Sequence, residues 1–294
     1  MATHLDGKRV AEQVKASVAD RVSQLKTVGV TPGLAVIQVG ADPASSVYVR
    51  NKRRTCELLG FQSIAHDLPE ATSETKLLQL IQHLNDDSQV HGILVQLPLP
   101  SGISPDKVME SINPTKDVDG FHPYNVGRLA LGKPTLVPCT PLGIMRMLEY
   151  YHIVPAGKHA VVIGRSNTVG RPMAQLLLAA DATVTVVHSK TPDAQSISRE
   201  ADILVVAMGR RQVVNRDWVK SGSVVVDVGI HRLDTGGLVG DCDFASVRDV
   251  ASYLTPVPGG VGPMTIAMLM ENTVRATETI VNRLDVSGSP ENQR

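Results

Sequence analysis

The sequence predicts an α/β protein: two α/β domains flanking a cleft, the second a Rossmann-like dinucleotide-binding domain with a mostly parallel sheet. Three observations lead there. Lys158–Ser189, KHAVVIGRSNTVGRPMAQLLLAADATVTVVHS, reads as strand, glycine turn, helix and strand. Short apolar runs, the mark of parallel strands covered on both faces, recur before and after it. The chain, 294 residues and 43% hydrophobic, is long enough for two cores.

The totals exclude some functions. The 29 basic residues balance the 29 acidic ones, which argues against nucleic acid or a membrane surface as the main partner. The first residues, MATHLDGKRVAEQ, hold no apolar signal core, and no run approaches transmembrane length. A cytosolic protein is expected. Cys56, Cys139 and Cys242 are far apart and odd in number. They suit a reducing compartment and offer neither a disulfide framework nor zinc-ligand spacing.

From the start of the chain, Val10, Val14, Val18, Val22 and Leu25 recur at helical spacing after a capped start at Asp6-Gly7. Leu34–Val39 is an apolar strand. Asp42 is the expected N-cap, and Pro43 the first position, of a helix over Ala44–Leu59 that stops at Gly60. Within it Tyr48 and Lys52 stand four apart and share a face. The neighbouring Arg50, Arg53 and Arg54 allow the plainer reading of a solvated basic face. Phe61–His66 is a second strand. Thr72 or Ser73 opens a helix with Leu77, Leu80, Ile81 and Leu84 on its apolar side. Gly92–Leu97 is a third strand, and the polar Gln96 near its end stands where open α/β sheets place ligands. Pro105–Ile112 is a short helix. The loop Asn113–Gly120 carries two acids, Asp117 and Asp119. Its plain reading is a capped turn, and its spacing is not that of a calcium loop. Phe121–Pro138 reads as irregular connection with turns at Gly127 and Gly132. Thr140 is the expected N-cap of a helix through Leu148.

The first turn of the dinucleotide unit is Gly164-Arg165-Ser166-Asn167-Thr168-Val169-Gly170. Serine replaces the usual second glycine, and one residue is added before the last. Pro172 is tolerated near a helix start, where a missing N–H does little harm. Met173, Leu176, Leu177 and Leu178 are the expected apolar face. The unpaired amides at such a helix start favour a pyrophosphate. NAD-binding units usually end their second strand on an acid, but here the end is His188-Ser189-Lys190. With Arg165 in the first turn, this favours the 2′-phosphate of NADP. A solvated strand end is the plainer alternative. Ile203–Ala207 and Val224–Val228 are further strands, and Asp241–Phe244 a loop beside the sheet. The Pro- and Gly-rich stretch Leu254–Thr265 excludes regular structure, and a helix follows over Thr265–Leu284.

The segments YVRNK, GILVQLPLP, NPTKDVDGFHPYNVGRL, PCTPLG, GRSNTVGRP, VVDVGI and TPVPGGVGPMT run in order along nearly the whole chain. Together they make it resemble the bifunctional methylenetetrahydrofolate dehydrogenase/methenyltetrahydrofolate cyclohydrolase family, in the short form without a synthetase. Thr168 stands where that family often has an aliphatic residue. The resemblance implies NADP-dependent oxidation of 5,10-methylenetetrahydrofolate to the methenyl form, then hydrolysis to 10-formyltetrahydrofolate. It implies catalytic roles for Lys52, Tyr48, Gln96 and Asp119. Further folate contacts are expected from Val95, Leu97 and the Pro258, Gly259, Gly260, Val261, Gly262 loop, with glycines as hinges. Cofactor contacts are expected from Gly164, Arg165, Ser166, Ser189 and Ile230. No metal is implied, and a homodimer is. Residues 1–139 with 265–286 would form the folate-binding catalytic domain, 140–264 the NADP-binding domain, and 287–294 a flexible tail. A rival reading keeps the two-domain plan for an NADP-dependent dehydrogenase of another small substrate. Asp119 and the PGGVGP segment speak against it.

Overall fold

The computed structural model describes residues 1–41 and 43–288. The expected cap at Asp42 and residues 289–294 of the expected tail lie outside them. The elements run β1 (Thr3–His4), α1 (Gly7–Thr27), β2 (Gly33–Val39), α2 (Pro43–Leu58), β3 (Gln62–Leu68), α3 (Glu74–Asp86), β4 (Gly92–Val95), α4 (Pro105–Ser111), α5 (Pro123–Ala130) and α6 (Cys139–Tyr150). Then come β5 (His159–Ile163), α7 (Gly170–Ala179), β6 (Thr183–Val187), α8 (Ala194–Ser198), β7 (Ile203–Val206), β8 (Val224–Asp227), β9 (His231–Arg232), β10 (Leu238–Val239), α9 (Phe244–Val247), β11 (Tyr253–Leu254) and α10 (Val261–Gly288).

The chain divides into two compact units. One comprises Val14–Arg128, Pro134–Val137 and the chain from Leu269 on. Its sheet is three parallel strands in the order β3-β2-β4. β2 is buried along its whole length, as a central strand covered on both faces must be. Ala35, Ile37, Ile93 and Val95 pack with Leu77 and Ile81 of α3, Val108 of α4 and Ile112 just after it. Ser73 caps α3 by accepting from Lys76 N, 3.3 Å.

The other unit comprises Met1–Gln13, Leu129–Lys133 and Pro138–Met268. Its sheet is six parallel strands in the order β1-β11-β8-β7-β5-β6. The first residues belong here because Thr3–His4 pairs with Tyr253–Leu254 at the sheet edge. Asp6 Oδ1 caps α1, accepting from Lys8 N at 2.9 Å and Arg9 N at 3.2 Å. β5 pairs with β6 on one side and β7 on the other, so the strand order reverses between β5 and β7. Such a switch point opens a crevice at the strands' C-terminal ends.

Several local expectations change. The stretch after Phe121 is not irregular, because Pro123–Ala130 is helical and Gly127 lies inside it. Asp117 orients that helix's start by accepting from Phe121 N and His122 N, and Gly132, at φ 68°, ends it. Thr140 does not cap α6; it lies inside the first turn, and its hydroxyl pairs with Thr265 Oγ1 at 2.9 Å. On α7, Met173 and Leu177 are buried but Leu178 is exposed. The Pro- and Gly-rich stretch contains the last residue of β11 and the start of α10, which begins four residues ahead of the expected helix. Pro263 fits that first turn because no intrahelical partner awaits its missing N–H. Ser287 and Gly288 continue α10. Among the described residues no helix is long and apolar enough to cross a membrane.

Candidate active site

The four residues expected to be catalytic all lie on the three-stranded unit, where Lys52 interacts with Gln96 and Asp119. Lys52 lies on α2, only 9% exposed, with Nζ donating to Gln96 Oε1 at 3.1 Å. Gln96 follows β4 directly and stays in register, its N–H donating to Ile37 O at 2.8 Å. Its Nε2 donates to Leu97 O at 2.6 Å, which fixes the amide so that the carbonyl oxygen faces Lys52. Tyr48 stands one turn before Lys52 and is part exposed; burial raises its phenol above the usual range. Val95 is buried at the end of β4, and Leu97 is half-buried.

The two acids of the Asn113–Gly120 loop part company. The loop is set beside β4 because Ile93 N donates to Lys116 O at 2.8 Å. Lys116 Nζ in turn donates to Leu84 O, Asn85 O and Asp87 O at the end of α3. Asp117 is 1% exposed and accepts from Phe121 N, His122 N and Asn125 Nδ2. The capped-turn reading therefore describes Asp117. Asp119 keeps part of its surface open, yet the protein crowds its carboxyl enough to push the pKa to about 6. Burial is the main cause; the Lys52 charge pulls it down and Asp117 pushes it up. Asn272 of α10 steadies the same loop, donating to Val118 O and Val137 O at 2.9 Å.

The expected cofactor residues lie on the six-stranded unit. Gly164 follows β5 at φ 122°, and a side chain there would strike the Ala207 carbonyl. A side chain on Gly170 would strike the Gly164 carbonyl. At both positions the close backbone approach leaves room for glycine alone, beside the switch point. Ser166, in place of the usual glycine, accepts through Oγ from Val169 N at 3.2 Å and Gly170 N at 3.3 Å. It organises the start of α7. Arg165, Ser166, Ser189, Lys190 and Ile230 are exposed. The bare backbone, the helix start and the absence of an acid after β6 fit a phosphate-rich dinucleotide. The Pro258–Gly262 segment also belongs to this unit. Gly259 O accepts from Lys8 N at 3.2 Å, and a side chain on Gly7 would strike the Gly260 carbonyl. Pro258 is exposed, while Val261 and Gly262 are the first residues of α10.

Sequence reasoning missed a buried acid pair on this unit. Asp227 ends β8 and accepts from Gly229 N, Asp241 N and Cys242 N. Asp241 accepts from Met208 N, Gly209 N, Arg210 N and His231 Nε2. The available signal was the one that marked Gln96: a polar residue closing an apolar strand, here VVVD.

Comparison with known proteins agrees with both halves. The family described as "Tetrahydrofolate dehydrogenase/cyclohydrolase, catalytic domain" matches residues 5–119, and its "NAD(P)-binding domain" matches 138–281. The curated "Bifunctional protein FolD" of Magnetococcus marinus is 57% identical over 96% of this chain and 99% of its own length. The solved bifunctional FolD of Campylobacter jejuni is 52% identical with a TM-score of 0.94, covering 95% of this chain and all of that one. A Trypanosoma brucei FolD structure, described as complexed with NADP cofactor and inhibitor, is 39% identical with a TM-score of 0.91, covering 95% and 98%. The chain belongs to the tetrahydrofolate dehydrogenase/cyclohydrolase family.

Proposed function

We propose that the chain oxidises 5,10-methylenetetrahydrofolate to 5,10-methenyltetrahydrofolate with NADP+, then hydrolyses that product to 10-formyltetrahydrofolate. The observation that carries the reading is the buried Lys52 amine held by Gln96 in a cluster with Asp119. It sits in a chain that matches both family domains.

Each residue has a physical task. The pterin ring presents adjacent N–H donors, and the Asp119 carboxylate accepts two side by side when ionised. Tyr48, a neutral phenol whose pKa burial raises further, offers an aromatic face to the flat ligand. Gln96 holds the Lys52 amine in one direction. When neutral, that amine takes a proton from the water that attacks the methenyl carbon, and the ring opens. Gly164 and the start of α7 receive the pyrophosphate, and Arg165 with the acid-free end of β6 tolerates the 2′-phosphate. Bound NADP+ supplies the hydride acceptor. A homodimeric, cytosolic enzyme belongs to the same reading and rests on family resemblance.

The test is spectrophotometric. With 5,10-methylenetetrahydrofolate, NADP+ should give NADPH and transient methenyl absorbance, and added methenyltetrahydrofolate should decay without cofactor. Activity with NADP+ on shikimate or an amino acid, and none on the folate, would favour the rival reading.

A further inference from the structure

We infer that Asp241, held by Asp227, is a positioning residue for the dinucleotide. Its carboxylate sets the backbone that floors the groove at the ends of β5, β7 and β8. The inference rests on the reading of this unit as the NADP site.

Asp241 is completely buried, and its donors come from two adjacent strand ends. Oδ2 accepts from Met208 N at 2.8 Å and Gly209 N at 2.9 Å. Oδ1 accepts from Arg210 N at 2.9 Å and His231 Nε2 at 2.7 Å. Three successive amides after β7 and the side chain after β8 thus converge on one group. The approach is close: a side chain on Gly229 would strike Asp241, and one on Gly240 would strike the Asp227 carboxylate. Asp227 Oδ1 accepts from Asp241 N and Oδ2 from Cys242 N, so the clamp is itself clamped.

The clamped segments are those the cofactor residues lean on. Gly164 packs on the Ala207 carbonyl, directly before the Met208 amide that Asp241 holds. Ile230, part exposed, is flanked by Gly229, whose amide Asp227 holds, and His231, whose ring Asp241 holds. Met208, Gly209 and Arg210 lie toward the surface. Buried support beneath an accessible loop is how a binding surface is kept preorganised.

Asp241→Asn keeps the size but turns one acceptor into a donor facing N–H donors. The cyclohydrolase step needs no cofactor, so it reports folding in the same tube. The expected result is a rise of about ten-fold or more in both the KM and the directly titrated Kd for NADP+. Saturated kcat should change less than about three-fold, and hydrolysis of added methenyltetrahydrofolate less than about two-fold. In the ligand-free variant, amide hydrogen exchange at Met208, Gly209 and Arg210 should accelerate. Unchanged NADP+ affinity, unchanged exchange, or hydrolysis falling in step with affinity would each overturn the inference. If Asp241→Asn is insoluble, His231 decides: His231→Leu should weaken NADP+ binding and speed the same exchange, and His231→Gln, which keeps a donor, should do neither. Equal behaviour of those two variants would overturn it. Wild-type NADP+ reduction with folate is the separate control; its absence would sink the functional reading itself.

Discussion

The two units bury carboxylates for different ends. On the three-stranded unit, burial pushes the Asp119 pKa up to about 6 against the downward pull of the Lys52 charge. On the six-stranded unit, Asp227 and Asp241 gather main-chain amides from neighbouring strand ends. The contrast recurs within one loop, where Asp117 gathers amides two residues from Asp119. A carboxylate held by backbone N–H groups fixes a loop. One balanced by a side-chain cation can exchange that partner for a ligand.

The largest expected effect tests the cation. Lys52→Met should lower cyclohydrolase activity by about 10²–10⁴-fold, the usual range for a lost proton-transfer group, and hydride transfer far less. Decay of added methenyl absorbance, set against NADPH formation, checks it; equal retention of both activities refutes the role.

The next pair sharpens the contrast between the two acids. Asp119→Asn should raise KM for the folate substrate by about 10–100-fold, a loss of about 1.4–2.8 kcal/mol. Asp117→Asn should instead cost about 1–3 kcal/mol of folding stability, because a donor then faces donors in a buried site. Steady-state kinetics and urea unfolding separate them. If both variants changed only KM, the contrast would fail.

The smallest effect is in pH. The Asp119 and Asp227 pKa values stand at about 6 in the folded chain against an ordinary 3.8. Between those values the folded state holds more protons than the unfolded, so each carboxyl's contribution declines as pH rises from about 4 to about 6 and is flat above. The stability of Asp119→Asn relative to wild type should therefore improve between pH 4.5 and pH 7.5. The change is on the order of 1–2 kcal/mol, reduced because Asp119 is partly solvent-exposed. Urea unfolding of both proteins at the two pH values checks it; an identical difference at each would count against a raised Asp119.

What the sequence made legible was local. The Gly164 turn with its flanking apolar runs, the four-residue spacing of Tyr48 and Lys52, and a polar Gln96 at a strand end are readable within a few residues. What it hid depends on distant partners. Gly127 reads as a turn until Asp117 is seen to orient the helix around it. Thr140 reads as a cap until Thr265 takes its hydroxyl. The edge pairing of Thr3–His4 with Tyr253–Leu254 spans nearly the whole chain and leaves only two-residue strands to notice. Asp117 and Asp119 are equivalent as letters; the amides around the first and the Lys52 charge beside the second tell them apart.

The roles of the two units separate most sharply in the ratio of cyclohydrolase to dehydrogenase activity in Lys52→Met and in Asp241→Asn, at one subsaturating NADP+ concentration. The ratio should fall below wild type in Lys52→Met and rise above it in Asp241→Asn. The same ratio in both variants and in wild type would contradict those roles.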